Sequence, residues 1–297
     1  MKRFIPSTSD GHSSQWLALW LVCLVLSACA GERREPATPA SDAAAATPAY
    51  RFETHRYDTS KLLPQAQVVI DNPWGDIRLR PHAEGFVRVD AGIQLIGENP
   101  PQPQFDTEES VNAFRFSVAV PGGRLQPRNN RVDLAVYLPA GLSLTLTSRD
   151  GTIEAKKTRN RILARSQSGR IVITNQGFIQ AHSVDGVVQA QPMFPGWGEI
   201  RLSSEHGDAI AFIPEHNDLS IEVLKAASLH SEFTLEGALP GPLKLIRGHG
   251  ADQVTISSGA AVQIYKTLFD PRVGAISPPQ SGPTALASNS LPVMTER

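Results

Sequence analysis

Four residues at matching positions of a repeated motif are the first candidates for chemistry. Stacked carboxylates could bind calcium, and two or three convergent imidazoles could bind zinc. Only two of the four are Asp, and the double-glycine nonapeptide of calcium-binding β-helices is absent. Asp or Ser before Gly is also typical of tight turns, where Gly adopts positive φ angles freely. We therefore expect turn chemistry and neither a metal site nor a cofactor. Each residue stands directly before a glycine: Asp150 (SRDG), Ser168 (SQSG), Asp185 (SVDG) and His206 (SEHG).

Pairs of nearby carboxylates could serve a glycoside hydrolase, which places two of them roughly 5–9 Å apart. The sequence offers Asp150 with Glu154, and Glu199 with Asp208. Either pair is equally typical of a solvated strand face. The nucleophile-elbow, HExxH and phosphate-loop motifs are missing. We expect a protein that is not an enzyme, with a carbohydrate-active enzyme as the alternative.

A run of basic residues is the first candidate for a binding surface. Within it the acidic residues are Asp150 and Glu154. Such a surface could contact an anionic envelope glycolipid or polysaccharide, or a protein partner, whereas a solvated face that discourages edge pairing is the alternative. A formal net charge of −1 gives no reason to expect nucleic-acid binding. The run comprises Arg149, Lys156, Lys157, Arg159, Arg161, Arg165 and Arg170.

The segment QPMFPGW (191–197) is the second candidate, because it places Met193, Phe194 and Trp197 in a loop rich in Pro and Gly. An exposed apolar loop can mark a partner site. The same side chains could instead fold back over a seam of the core, and the sequence leaves both interpretations open.

The elements that must position these residues are short strands. From residue 148 a strand begins about every nine residues, and apolar residues alternate within each, as in Ile153/Ala155 and Ile171/Ile173. Two strands per 17–18 residues at constant register predict an all-β fold, a β-solenoid of stacked two-strand coils, over residues 50–269. A hairpin meander is the competing interpretation, because Asp-Gly is also a strong hairpin signal.

The two ends of the chain differ from this domain. Lys2, Arg3 and the apolar stretch 16–26 predict a signal peptide over 1–28, too short for a permanent membrane helix. The segment L26-S-A-C29 resembles the lipobox of bacterial lipoproteins, which implies that Cys29 is acylated and anchors the chain in the membrane. In that family Ala after the Cys, here Ala30, rather than Asp resembles sorting to the outer membrane. Residues 29–49, rich in Pro and Ala, predict a flexible linker, and 270–297 predict a disordered tail.

Three segments resemble the bacterial adhesin-head, β-strand-repeat family. They are D71-N-P-W-G-D-I-R-L79, the stretch from Val132 to Ile153, and G248-H-G-A-D-Q-V-T-I256 with G259-A-A-V-Q-I264 as closing coils. The resemblance spans about residues 50–268 and implies a β-solenoid without catalytic residues. Residues 97–130 and 191–197 depart from the regular pattern. We predict a lipid-anchored envelope protein with a binding or scaffolding domain, and an envelope-stress or sensory accessory is a further alternative.

Overall fold

In the computed structural model, residues 50–97, 99–120 and 130–267 are described, and they form strands and turns without a helix. Twenty strands build two ten-stranded sheets. In spatial order, the first sheet contains β1 (Tyr50–Asp58), β4 (Arg88–Ile96), β7 (Arg131–Leu138), β3 (Ile77–Pro81), β9 (Ile153–Thr158), β11 (Ile171–Asn175), β13 (Val188–Pro192), β15 (Ala209–Pro214), β20 (Ala261–Thr267) and β17 (Ser228–Ser231). The second sheet contains β18 (Leu243–Ile246), β16 (Leu219–Lys225), β19 (Asp252–Ser258), β14 (Glu199–Ser204), β12 (Ile179–Ser183), β10 (Arg161–Ser166), β8 (Ser143–Ser148), β2 (Gln67–Asn72), β6 (Ala113–Ala119) and β5 (Gln104–Ser110).

The middle of the fold has one repeating connection. From β8 to β15 the chain alternates between the sheets, and each strand pairs in parallel with the strand two positions later. Ile171, for example, lies between Ile153 of β9 and Val188 of β13. Parallel pairing is incompatible with hairpins between successive strands, so the meander is wrong for this region. One strand from each sheet is called a coil below.

The coils at both ends are stacked out of chain order. The β2–β3 coil lies between β6–β7 and β8–β9, because β2 pairs with β6 and β8 while β3 pairs with β7 and β9. At the other end β19 and β20 pair directly with β14 and β15, and β16 and β17 lie outside them. The strands predicted around 252–264 are therefore present, but they do not close the stack. Sequence spacing carries no information about which coil an inserted coil packs upon.

The core lies between the inner faces of the two sheets. The predicted inward positions are confirmed, from Ile153 and Ala155 through Ile171 to Leu202, all of them buried. Arg170, predicted to point outward, is exposed. Alternation of buried and exposed side chains is what a strand with one covered face requires.

Each coil turns at a glycine on what we call the glycine side of the stack: Gly75, Gly151, Gly169, Gly186, Gly207 and Gly259. The expected reason for these glycines, a positive φ angle, is wrong, because their φ angles lie outside the left-handed region. A Cβ on Gly186 would instead lie 2.1 Å from the carbonyl oxygen of Gly169. The backbones of successive coils approach too closely here for any side chain.

Buried serines explain the recurring Ser three residues before glycine. The Ser183 hydroxyl accepts a hydrogen bond from the Gly186 amide at 2.9 Å and donates to the Gly169 carbonyl at 3.3 Å. Ser204 repeats both contacts, at 2.9 Å to the Gly207 amide and 2.9 Å to the Gly186 carbonyl. The motif therefore joins each turn to the coil before it.

The opposite side, which we call the asparagine side, is held by Asn160 and Asn175. The Asn175 amide donates to the Asn160 carbonyl at 2.8 Å, and its oxygen accepts from the Thr158 hydroxyl at 2.9 Å. Asn160 in turn accepts from the Leu142 amide at 2.7 Å. The connections that stack on this side are 59–66, 139–142, 157–160, 175–178 and 193–198.

Candidate functional site

The seven predicted basic side chains are exposed, but they lie in separate groups. Strands β9 and β10 run in opposite directions between the two sides of the stack, so residues adjacent in sequence diverge. Lys156 lies on the outer face of β9, where its ammonium is 3.1 Å from the Glu154 carboxylate. The glycine side carries Arg149, Arg165 and Arg170, and the asparagine side carries Lys157, Arg159 and Arg161.

The asparagine-side group borders a cavity of about 370 Å³. Backbone hydrogen bonds fix its walls, since the Gln65 amide donates to Gly141 and the Gly141 amide donates to Arg159, both at 2.9 Å. The lining residues are Gln65, Gly141, Leu142, Ser143, Arg159, Asn160, Arg161, Gln176, Gly177 and Phe178. Two arginines, three residues with amide side chains and one phenylalanine therefore line a single concave surface.

Stacking positions one of these guanidinium groups. The Arg161 guanidinium carbon lies 3.7 Å from the centroid of the Phe178 ring. An arginine that stacks on an aromatic face keeps its full charge and its N–H donors at the rim. Arg161 is thus oriented without being neutralised.

One of the two basic groups contains an ion pair with a carboxylate. The five asparagine-side connections contain no Asp or Glu of their own. Carboxylates from elsewhere reach two of them, since Glu109 accepts a hydrogen bond from the Ser60 amide at 2.6 Å and Asp252 accepts from the Gly196 and Gly198 amides. On the glycine side, Arg149 lies 3.7 Å from the Asp150 carboxylate and packs over Trp74 at 5.7 Å. Arg170 donates to the Gln189 side chain at 2.6 Å. Of the seven basic side chains, Arg149 and Lys156 therefore pair with described carboxylates, and the remaining five, on both sides of the stack, do not.

The column before the corner glycines forms contacts between coils. The Ser168 hydroxyl donates to the Asp150 carboxylate at 2.7 Å, and His206 Nδ1 lies 2.9 Å from the Asp185 carboxylate. Backbone bonds run alongside, since the Asp185 amide donates to Gln167 at 2.8 Å. Within the described ranges, no three His, Cys, Asp or Glu side chains converge in a way that could hold a metal ion.

Three of the four acidic residues considered for catalysis lie near cations, and the fourth, Asp208, accepts a hydrogen bond from the Ala261 amide at 3.1 Å. Glu199 lies 2.5 Å from Arg201, and Glu154 lies 2.5 Å from Arg80. Burial opposes ionisation of Glu154, but hydrogen bonds from Arg80 and Lys156 outweigh it and lower the pKa of this carboxyl below its ordinary value. A general acid of a glycosidase needs a raised pKa, so Glu154 is poorly suited to that role.

The comparisons with known proteins give similarity in structure alone. No protein-family model matches the chain, and no curated protein matches it. Among solved structures, it is similar to a putative cell adhesion protein from Clostridium sporogenes, with 11% identity and a TM-score of 0.48 over 73% of this chain and 100% of that chain. It is also similar to a putative adhesin from Bacteroides fragilis, with 12% identity and a TM-score of 0.35 over 73% of this chain and 97% of that chain. A putative adhesin from Parabacteroides distasonis shows 10% identity and a TM-score of 0.31 over 72% of this chain and 97% of that chain.

The three apolar side chains of the loop at 191–197 differ in burial. Trp197 is 3% exposed and belongs to the core, whereas Met193 and Phe194 are half-buried. Trp197 therefore folds back over the core, which is one of the two interpretations of this loop. The Trp197 ring meets the His216 ring edge-on, with centroids 5.2 Å apart.

Sequence reasoning missed the residues that hold this loop in place. The buried Asp252 carboxylate accepts hydrogen bonds from the Gly196 amide at 2.6 Å and the Gly198 amide at 2.9 Å, and it lies 3.3 Å from His216 Nε2. Asp252 opens a strand that packs on β14 across an insertion of many residues. No local pattern could have linked it to the loop.

Cys29, the predicted lipidation site, lies outside the described residues, as do the predicted signal peptide, the linker and the tail from 270. In the part of the chain that is described, no helix has the length and hydrophobicity needed to cross a membrane.

Proposed function

We propose that this chain is a lipid-anchored protein of the bacterial cell envelope, held in the outer membrane through Cys29, with a β-solenoid domain that binds an anionic partner. The anchor rests on the sequence, where a charged start and an apolar stretch precede L26-S-A-C29. The solenoid rests on the parallel pairing of alternate strands from β8 to β15. An adhesin-like role, rather than catalysis, agrees with the three sequence segments that resemble the adhesin-head family.

One observation supports the binding role most strongly. Lys157, Arg159 and Arg161 are exposed close together on the asparagine side, and none of the three forms an ion pair with a carboxylate of the described residues. Surface cations are ordinarily interspersed with anions, and a patch of one sign attracts the opposite charge from solution. Rigid coils present such a patch without the entropic cost of ordering a loop.

The anchor is tested by Cys29→Ser in cells fed a labelled fatty acid. The natural chain should incorporate label and be processed at residue 29, and the variant should do neither. Incorporation of label by Cys29→Ser would contradict lipidation at this residue.

The binding role is tested by retention of the full chain on anionic and neutral envelope polysaccharides at low and high salt. Attraction between exposed charges is screened over about 8 Å at physiological ionic strength, so retention on the anionic polymer should fall as salt rises. Retention that is independent of salt, or equal on neutral polymer, would contradict an anionic partner. Oligosaccharide released into the supernatant would favour the carbohydrate-active alternative.

A further inference from the structure

We propose that the asparagine-side cavity binds a sugar phosphate, with the phosphate on Arg159 and Arg161 and the sugar hydroxyls on Gln65 and Gln176. The inference rests on the proposed function, because it names a ligand class for the same positive surface. The volume of about 370 Å³ falls within the range of small-molecule sites, about 300–1,000 Å³.

Backbone strain at this cavity is the first argument. Gln65 and Lys157 are the non-glycine residues of the described ranges with positive φ, at 65° and 56°. Gln65 lines the cavity, and Lys157 lies two residues before Arg159. Glycine would adopt either conformation without strain, so Gln65 and Lys157 are held here in a backbone conformation that costs free energy.

The local backbone explains how Lys157 reaches this position. Thr174 pairs with Lys156 and the next residue, Asn175, pairs with Thr158, so Lys157 is the extra residue of a β-bulge. A bulge re-aims side chains at the end of a strand. The bulge places Lys157, an exposed residue, at the end of β9 on the side where Arg159 and Arg161 lie.

The nature of the ligand follows from the donors. Guanidinium groups recognise phosphate through two parallel N–H bonds, and Arg161 is held in a fixed plane by Phe178. The Gln65 and Gln176 side chains each offer donors and an acceptor, which suits hydroxyl groups. A bare phosphate would leave those amides unused, and a neutral sugar would leave the cations unpaired.

The test titrates the full-length protein in detergent with glucose 6-phosphate, glucose and inorganic phosphate at low salt. We expect glucose 6-phosphate to bind at least about tenfold more tightly than either fragment, because it engages both sets of donors. Equal affinity for glucose 6-phosphate and inorganic phosphate would overturn the sugar contact. Tighter binding of glucose would overturn the phosphate contact.

Matched charge variants locate the site. Arg159→Gln with Arg161→Gln should weaken binding of glucose 6-phosphate by about tenfold or more, since each removes a charge-assisted hydrogen bond. Arg165→Gln with Arg170→Gln removes the same charge from the glycine side and should change affinity by less than about twofold. Equal losses in the two double variants would overturn the cavity as the site.

Glycine variants separate binding from folding. Gln65→Gly and Lys157→Gly relieve the strained φ angles, so melting should be unchanged or higher while affinity falls. Unchanged affinity in both would overturn the functional argument from strain. Because these variants relieve strain, a loss of binding cannot be attributed to unfolding when the melting temperature is kept.

Two further measurements identify the source of the ligand and distinguish failure of the cavity site from failure of the proposed function. Phosphatidylcholine vesicles with and without phosphatidylinositol report a lipid headgroup, and soluble glucose 6-phosphate reports a free sugar phosphate. Salt-dependent retention of the natural chain on anionic polymer, together with no binding of glucose 6-phosphate, would overturn the cavity site and leave the proposed function standing. Loss of polymer retention and of glucose 6-phosphate binding in Arg159→Gln with Arg161→Gln would support the proposed function and the cavity site together.

Discussion

A Cβ atom on Gly169 would lie 1.9 Å from the carbonyl oxygen of Gly151 in the neighbouring coil. Neither residue can retreat easily, because the Gly169 amide donates to the Ser166 hydroxyl and the Gly151 carbonyl accepts from the Ser148 hydroxyl. Gly169→Ala should therefore lower the free energy of unfolding by about 3 kcal/mol, the upper part of the range for overpacking. Urea denaturation of the variant measures the loss. Gln167→Ala, an exposed change in the same turn, should stay within about 0.5 kcal/mol, and equal stabilities would contradict the close approach.

The glycines show what a sequence can and cannot reveal. Their spacing predicts the turns, and the alternation around Ile171 predicts the buried face, because both are local and repeat at a fixed period. The sequence could not reveal why residue 169 must be glycine, because the carbonyl oxygen that excludes a side chain there belongs to a coil 18 residues earlier. Turn statistics favour positive φ, whereas the structure requires room for a carbonyl group.

The strand phase gives the second prediction. Ile171 is fully buried and Arg170 is exposed. Ile171→Asp would place an unpaired carboxylate in the core and should prevent folding or cost several kcal/mol. Arg170→Asp should change stability by about 0.5 kcal/mol or less. Similar melting temperatures for the two variants would contradict the assigned phase.

The third prediction concerns the asparagine side. Asn175→Leu keeps the branched skeleton of the side chain, with a somewhat larger volume, but removes the hydrogen bonds to Thr158 and Asn160 inside the core. Buried groups left without partners cost about 1–3 kcal/mol each, so the variant should lose about 3 kcal/mol or more in urea denaturation. Gln176→Leu at the next, half-buried position should lose little. If Asn175→Leu lowered the free energy of unfolding only slightly, the hydrogen bonds of Asn175 would be dispensable.

Asp252 carries the fourth prediction. Asp252→Ala removes the acceptor for the Gly196 and Gly198 amides and should release the loop that buries Trp197. We expect a loss of about 1–3 kcal/mol and a red shift of tryptophan emission. Asp150→Ala, at an exposed turn, serves as the control. Emission unchanged by Asp252→Ala would contradict the role of this carboxylate.

The candidate site was predictable in composition and unpredictable in arrangement. The basic residues are evident in the sequence, but their division depends on β9 and β10 running in opposite directions. Gln65 is joined to Arg159 through Gly141, across nearly a hundred residues, and only because the β2–β3 coil is inserted out of order. Such long-range placement leaves no periodic signal, because each coil is compatible with several neighbours.

The final prediction is a pH dependence centred on Glu154. Burial disfavours the charge, but hydrogen bonds from Arg80 and Lys156 prevail and set the pKa of the folded carboxyl below the ordinary 4.5. A lowered pKa means that the folded state binds the proton less readily than the unfolded chain. The contribution to stability is therefore fully present above pH 4.5 and is lost as the pH falls from there through the lower folded value. Because the carboxylate is partly exposed, this contribution to the free energy of unfolding should be about 1 kcal/mol or less. The difference in free energy of unfolding between the natural chain and Glu154→Gln should be constant above pH 5.5 or so and shrink on acidification. In an Arg80→Gln and Lys156→Gln background the same substitution should show a much weaker pH dependence. A difference that grows towards acid pH would mean that burial, rather than the two cations, dominates at Glu154.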